Sequence, residues 1–229
     1  MVNVDTVYQR VLAIANKEQR GYITPLEFNL LANQVQMETF ENYFAEMMQA
    51  ISLPGNESEY SDIVKTLNEK ISIFKTDGAL AYASGYFSYP SDMYKLGTLY
   101  YRSLLGSAIQ NSVEIQEVNY DEIIDYNKSP LTTPTPSRPL YINREEGIKV
   151  FSTPSITVNV SASYIKRPTK VEWGYVVVNE QALYNAGSSE NFELHISEET
   201  TLVAKILELA GIVIQKPDLA AVNSQQQQA

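Results

Sequence analysis

The chain has 229 residues, 44% of them hydrophobic, and a formal net charge of −10 at pH 7. This length and apolar content are sufficient for a buried core, whereas the negative charge opposes binding to nucleic-acid phosphates unless a local basic patch exists. The sequence has no cysteine and one histidine, which excludes disulfides, thiolate zinc sites, cysteine nucleophiles and any multi-histidine metal site within one chain.

No stretch of the sequence reaches the roughly 18 to 20 apolar residues that span a membrane. The first residues, MVNVDTVYQR, also lack the basic region and apolar core of a secretory signal peptide. We therefore expect a soluble protein that is made in the cytosol and makes no contact with a membrane.

Three helices are predicted in the N-terminal part of the chain. Residues 4–17 place apolar side chains at intervals of three and four, the pattern of an amphipathic helix. A long helix over 25–51 and a shorter one over 57–69 are predicted on similar grounds. Residues 1–70 are thus expected to form an N-terminal helical part.

The junction between the first two helices has the outline of an EF-hand calcium loop. With Asn16 at loop position 1, Gly21 falls at the sharp-turn position 6 and Glu27 at the bidentate position 12. However, position 3 is the longer Glu18 and position 5 is Arg20, whose cation would stand where a divalent ion needs an oxygen.

The same residues also satisfy the needs of a helix start. Gly21 permits a left-handed turn, and Pro25 suits the first helical position. Thr24 and Glu27 have the spacing of a capping box, in which each side chain bonds an otherwise unpaired amide. The sequence therefore favours a hinge between two helices, with a calcium-regulated binding module as the alternative hypothesis.

The middle of the chain, residues 71–178, is predicted to be rich in strands. Segments 71–75 and 79–83 flank Thr76-Asp77-Gly78, a turn sequence typical of a hairpin. Alternation predicts a further strand at 113–119, and one or two helical turns are expected at 120–128.

Residues 128–139 contain four prolines and are predicted to form an extended surface loop, because proline cannot join the interior of a sheet. Two strands are predicted next, around a Glu145-Glu146-Gly147 turn. A longer strand should follow, with one face formed by Ile156, Val158, Val160 and Ala162.

A C-terminal helix is predicted from Ser197, as its N-cap, to Gly211, which ends it. We expect residues 179–214 to return to the N-terminal helices, and residues 215–229, which carry a glutamine tract, to form a flexible tail. The predicted fold class is α+β: N- and C-terminal helices packed as a helical bundle, with an inserted antiparallel β-sheet domain.

No constellation of residues indicates catalysis. His195 precedes the C-terminal helix, and without a Gly-x-Ser-x-Gly elbow a local hydrogen-bonding role is favoured over that of a serine-hydrolase base. The adjacent pairs Glu145-Glu146 and Glu198-Glu199 should diverge instead of facing one site. We therefore predict a protein that is not an enzyme, with no catalytic residue, cofactor or metal. A glycosidase stays an alternative, because its two carboxylates can come from distant positions.

Two further features bear on partners. Lys166, Arg167 and Lys170 are the one convincing cluster of cations, and they suit either contact with an acidic partner or DNA, or a solvated strand end. The sixteen tyrosines suit protein interfaces, but tyrosine is also a good strand former, so both interpretations stay open.

Three colinear stretches carry a resemblance to known proteins. They are VYQRVLAIANKEQRGYITPLEFNLLANQVQMETFENYF, then RPLYINREEGIKVFS with SASYIKRPTKVEWGY, and finally FELHISEETTLVAKILELAGIVI. In this order they resemble virion structural proteins of tailed bacteriophages, particularly crAss-like and short-tailed phages. The set is also similar to head-to-tail connector or adaptor proteins of the tail-tubular A type.

The resemblance implies a non-enzymatic virion protein, assembled in the host cytoplasm, that forms a homo-oligomeric and typically dodecameric ring. Such a ring contacts the portal protein and other connector or tail proteins and extends the DNA channel, where an acidic lumen lets DNA pass without specific binding. The segment 128–139 and the tail are candidate arms toward neighbouring subunits. Extra length within 71–140, relative to the short adaptors, leaves the tier of the connector open.

Overall fold

A computed structural model describes residues 1–17, 23–52, 57–105 and 108–213. The chain divides into two compact units. The helical unit comprises Met1–Ile73 together with Pro168–Ala229, and the sheet unit comprises Phe74–Arg167. The predicted tail, residues 215–229, lies outside the described residues.

The described residues form α-helices and β-strands in the following chain order. The first half contains α1 (Val4–Lys17), α2 (Pro25–Ser52), α3 (Glu57–Ser72), β1 (Lys75–Ala79), β2 (Tyr82–Ala83), β3 (Tyr86–Phe87), β4 (Met93–Leu105) and β5 (Ala108–Glu117). The second half contains α4 (Tyr120–Tyr126), β6 (Leu140–Arg144), β7 (Gly147–Phe151), β8 (Val160–Lys166), β9 (Tyr175–Val178), β10 (Gln181–Tyr184) and α5 (Glu199–Val213).

The helical unit is built around α2. This helix packs against α3 and α5, and α1 packs against α5. The buried apolar residues come from the helices and also from the extended chain between β10 and α5, which contributes Phe192 and Leu194. Phe192 is tied to the N-terminus by a backbone bridge with Val2. The helices therefore share their core with extended segments.

The predicted fold class, a helical bundle with an inserted antiparallel sheet, is wrong. The main body of the fold is one large, curled, mixed sheet of eight strands in the order β1-β8-β4-β5-β6-β7-β3-β2. The sheet is mixed because β5 and β6 run parallel. The described residues do not show a helical bundle with an inserted sheet, and one face of α2 is bonded to extended chain through its side-chain amides.

The core of the sheet unit is formed by strands from both halves of the sheet. Because the sheet curls, side chains of β4, β5 and β8 meet those of β3, β6 and β7 in one cluster. Its fully buried members include Phe87, Leu99, Ile148, Val160 and Ala162. A second, smaller cluster joins α4 to β6 through Ile123, Leu140 and Ile142.

The predicted hairpin at 71–83 is wrong. Residues up to Ser72 belong to α3, and Thr76-Asp77-Gly78 lies inside β1, which pairs with β8 along its whole length. Gly78 does not form a turn here, and its role is in packing. A Cβ at this position would come within 3.3 Å of the Tyr164 ring, so glycine lets that ring lie against the strand.

Two other local predictions need correction. The strand predicted from Ile156 begins only at Val160, because Asn159 has a φ of 59° that breaks the alternation, and Val158 is exposed instead of buried. Gly211 does not end α5, which continues to Val213. In contrast, the predicted helix 4–17 is confirmed, and α2 ends one residue beyond the predicted range 25–51.

Candidate interaction site: the β9–β10 arm

Residues 175–184 form a two-stranded hairpin, here called the arm. Within the described ranges, β9 and β10 pair only with each other, from Gln181 opposite Val178 to Tyr184 opposite Tyr175. The loop is two residues long, and Asn179 and Glu180 have φ values of 50° and 63°. Positive φ at both loop positions is the signature of a type I′ turn, whose twist matches that of the flanking strands.

The arm exposes nearly all of its apolar side chains. The exposed fractions are Tyr175 41%, Val176 51%, Val177 63%, Val178 46%, Leu183 51% and Tyr184 39%. An isolated two-stranded hairpin is at best marginally stable in water, and contiguous exposed apolar surface marks an interaction site. The arm therefore has the composition of a strand pair that a protein partner covers.

The base of the arm is held by Trp173, which is 2% exposed. Its ring lies between Tyr8 of α1, at 4.5 Å between centroids, and the arm tyrosines Tyr175 and Tyr184, at 5.9 and 5.7 Å. The indole Nε1 donates a hydrogen bond of 2.9 Å to the carboxylate of Asp5. The arm thus starts from a packed and hydrogen-bonded aromatic cluster.

The segment 168–174, which leads into the arm, is bound to α2 by a row of side-chain amides. The amides bond the backbone of every second residue in the segment, so together they make the hydrogen bonds that a neighbouring strand would otherwise make. Asn29 bonds both backbone groups of Trp173, Asn33 bonds both of Val171, and Gln36 donates to the carbonyl of Thr169 at 2.6 Å. Asn29, Asn33 and Gln36 are called the amide row below.

The other edge of the same segment is also bonded. Glu172 and Glu190 exchange two backbone hydrogen bonds, at 2.8 and 3.1 Å. Gly174 accepts from the N–H of Asn185, which directly follows the arm. A Cβ on Gly174 would overlap Ser188, so glycine is required where the two ends of the arm come together. Both ends of the arm are therefore fixed.

A second surface on α2 is apolar, and none of the described residues fills it. The C-terminal part of α2 and the facing side of α3 form a groove of about 480 Å³. Its apolar lining is formed by Ala50, Ile63 and Leu67, and its polar lining includes the carboxylates of Glu46 and Asp62. Ile63 is 54% exposed.

The sheet unit has an extension of its own. The pairing of β4 with β8 ends at Tyr101, and that of β5 with β6 begins at Gln116, whereas β4 and β5 pair with each other as far as Leu105 and Ala108. Between these points neither strand pairs with a third strand among the described residues.

Glu27, the bidentate ligand of the calcium hypothesis, instead forms part of the helix cap. The backbone N–H and the hydroxyl of Thr24 donate to Glu27 Oε2 at 2.9 and 2.7 Å, which lowers the pKa of Glu27, and Glu27 N–H donates to Thr24 Oγ1 at 3.3 Å. Glu18, Arg20 and Gly21 lie outside the described residues. Within the described ranges, no group of three or more acidic or histidine side chains is arranged to hold a metal ion.

The structure gives His195 and Glu198 local roles. His195 Nδ1 accepts from the N–H of Ser197 at 3.3 Å and lies 2.9 Å from its hydroxyl, so His195, not Ser197, caps the short 3₁₀ helix before α5. Glu198 is not solvated as predicted. It is buried and pairs with Lys70 at 2.6 Å, while Glu199 pairs with Arg10.

The glycosidase hypothesis requires two free carboxylates at one cavity. A hollow of about 320 Å³ in the sheet unit is lined by Glu122 and Asp125. Glu122 accepts from the N–H of Asn119 at the start of α4, and Asp125 is paired with Lys128. Both carboxylates therefore already have partners close in the sequence. The pair Glu145-Glu146 forms the exposed turn between β6 and β7.

The predicted cationic cluster is divided between the two units. Lys166 and Arg167 lie at the end of the sheet unit, and Lys170 belongs to the helical unit. The Pro-rich segment 128–139 forms successive turns with internal hydrogen bonds, such as that from Thr133 Oγ1 to the Ser129 carbonyl.

No protein-family model and no curated protein matches the chain. None of the helices in the described ranges is long and apolar enough to cross a membrane.

The arm was not predicted from the sequence, although two signals for it exist. Three consecutive valines, 176–178, favour a strand, and Asn179 tolerates the left-handed conformation that a two-residue loop needs. The amide row is also visible as Asn29, Asn33 and Gln36 on one helix face. Its role was not predictable, because the bonded segment lies more than 130 residues away in the sequence.

Proposed function

We propose that this protein is a structural subunit that assembles into a ring through its arm. The sequence resemblance supports a specific setting: a dodecameric ring in the portal–tail connector of a tailed-phage virion, where it joins the portal to the tail and extends the DNA channel. In this proposal the protein is not an enzyme, and its mechanism is assembly.

The single observation that carries the proposal is the contrast between the exposed arm and its rigid base. All four residues of β9 are exposed, whereas Trp173, two residues before it, is almost fully buried. A flexible apolar loop would lose much conformational entropy on binding a partner. A fixed apolar hairpin loses little conformational entropy on binding, which favours association.

Charge supports a protein partner instead of nucleic acid. The strands of the arm carry no charged side chain, and the only charge in the arm is the carboxylate of Glu180 in its loop. Nucleic-acid binding depends on Lys and Arg contacts with phosphate, which the arm cannot make. An excess of acidic residues suits a channel through which DNA slides without adhering.

The experiment that tests this function is a composition and imaging study of purified portal–tail complexes. Quantitative mass spectrometry should find this chain in a fixed ratio to the portal protein, and electron microscopy should place its copies in a ring around the channel. Complexes that contain no copy of this chain in any ring would contradict the proposal.

A further inference from the structure

We infer that the arm of one copy enters the α2–α3 groove of a neighbouring copy. This inference rests on the proposed self-assembly and names the two surfaces that would form the contact. It follows from where the arm and the groove lie along α2, from their chemistry, and from the limited reach of the arm.

The arm starts at one end of α2 and the groove lies at the other. Trp173, at the base of the arm, is bonded to Asn29, whereas the first residue of α2 that lines the groove is Glu46. These positions are separated by 17 residues of helix, or about 26 Å at a rise of about 1.5 Å per residue. The two surfaces are therefore at opposite ends of one rigid element.

The arm cannot fill the groove of its own chain. From Trp173 to the loop residue Asn179 the fully extended chain spans about 20 Å, at about 3.4 Å per residue, which is less than the distance to the groove. The segment also runs the wrong way, since successive residues bond Gln36, then Asn33, then Asn29, so the chain moves away from the groove as it approaches the arm. A second copy is needed to bring the two surfaces together.

The groove and β9 match in chemistry. The apolar lining of the groove suits the valines of β9, and a volume of about 480 Å³ is within the roughly 300–1,000 Å³ typical of binding pockets. The carboxylates of Glu46 and Asp62 in the lining would repel an acidic segment. They do not repel β9, whose four residues are uncharged, and the one charge of the arm, that of Glu180, lies in the loop beyond the strands.

The placement of the two surfaces also determines the type of assembly. Each copy gives an arm at one end of α2 and receives another at the far end, so the contact is heterologous, between two different surfaces. A heterologous contact repeats from copy to copy, and it closes into a ring when the rotation between copies is a simple fraction of a turn.

Disulfide trapping tests this contact directly, because the natural chain has no cysteine. Val177→Cys places a thiol on the arm and Ile63→Cys places one on the groove. Mixing the two single variants under mild oxidation should give a disulfide-linked dimer, and the double variant should give a ladder of higher oligomers. Lys65→Cys, two residues along the same helix and about 200° around it, is the matched control and should trap little.

The outcomes separate this inference from the proposed function. Two trapping results would overturn the groove contact but not self-assembly, if the copies still associate in sedimentation. In one, Val177→Cys forms a disulfide with itself. In the other, Val177→Cys forms a disulfide with Lys65→Cys as readily as with Ile63→Cys. A wild-type chain that sediments as a monomer, with no trapping in any mixture, would overturn both.

Discussion

The side chain of Asn33 and the backbone of Val171 form a reciprocal hydrogen-bonded pair. Asn33 Nδ2 donates to the Val171 carbonyl at 2.8 Å, and the Val171 N–H donates to Asn33 Oδ1 at 2.9 Å. Asn29 and Trp173 repeat the arrangement one helical turn away. In this way the side chains of α2 make the hydrogen bonds that a neighbouring strand would make, and they fix the chain that leads to the arm.

Replacing Asn33 with alanine should lower the free energy of unfolding by about 1–3 kcal/mol, because it leaves both backbone groups of Val171 without their partner in a partly buried place. Urea denaturation of the purified protein measures the effect. Gln34→Ala, at the exposed neighbouring position, is the control and should change stability by less than about 0.5 kcal/mol. Equal losses for the two variants would show that the reciprocal pair contributes little.

The single tryptophan makes the base of the arm directly observable. Trp173 is the only tryptophan in the chain and is 2% exposed, so its fluorescence should be poorly quenched by iodide. Tyr184→Ala removes one of the rings that cover it and should raise the quenching constant toward that of the unfolded chain. Tyr120→Ala, in the sheet unit, should leave quenching unchanged. Efficient quenching in the wild-type protein would contradict the packed base.

The ion pair between Lys70 and Glu198 should contribute strongly to stability. The Glu198 side chain is 9% exposed, so Lys70→Met leaves a buried carboxylate without its cation and should cost about 3 kcal/mol. Lys128→Met breaks the pair with Asp125, in which both side chains are more than 70% exposed, and should cost less than about 1 kcal/mol. Thermal or urea unfolding distinguishes the two, and similar small losses would count against a buried pair.

Stability should fall at alkaline pH in part through Tyr43. Burial, and then the negative charge of Glu198, raise the pKa of Tyr43 above its ordinary value of 10.0. Above that pH the unfolded chain releases the phenolic proton while the folded chain keeps it. The free energy of unfolding therefore decreases with rising pH, by at most about 1.4 kcal/mol per pH unit for one such group.

Tyr43→Phe should remove that part of the alkaline slope and leave stability near pH 7 within about 1 kcal/mol of the wild type, since the ring stays in place. Unfolding free energies measured from about pH 8 to about pH 11, a range that contains the ordinary pKa of tyrosine, provide the comparison. Identical slopes for the two proteins would show that Tyr43 does not titrate differently in the folded state.

Local sequence patterns were sufficient for α1 and for the start of α2. The intervals of three and four in residues 4–17 predict α1, and the Thr24–Glu27 capping box places the start of α2 at Pro25. These signals work because each depends on residues within one or two helical turns, so that no tertiary contact is needed to interpret them.

The sheet and the arm base depend on distant pairs, and the predictions failed there. Thr76-Asp77-Gly78 has the local sequence of a turn, but pairing with β8 nearly ninety residues later holds it in a strand. The parallel pairing of β5 with β6 has no local signal either, which is why the sheet was expected to be antiparallel. The role of the amide row was not predicted for the same reason, because its backbone partners belong to another part of the chain.

The most direct test of self-assembly through the arm compares two matched substitutions by sedimentation velocity. Val177 in the arm is 63% exposed and Val158 in the sheet unit is 62% exposed, so Val177→Asp and Val158→Asp introduce the same charge at equally exposed valines. Val177→Asp should weaken association at least tenfold, equivalent to about 1.4 kcal/mol, with unchanged thermal stability, whereas Val158→Asp should associate as the wild type does. Equal association of the two variants, or a wild-type chain that stays monomeric, would contradict assembly through the arm.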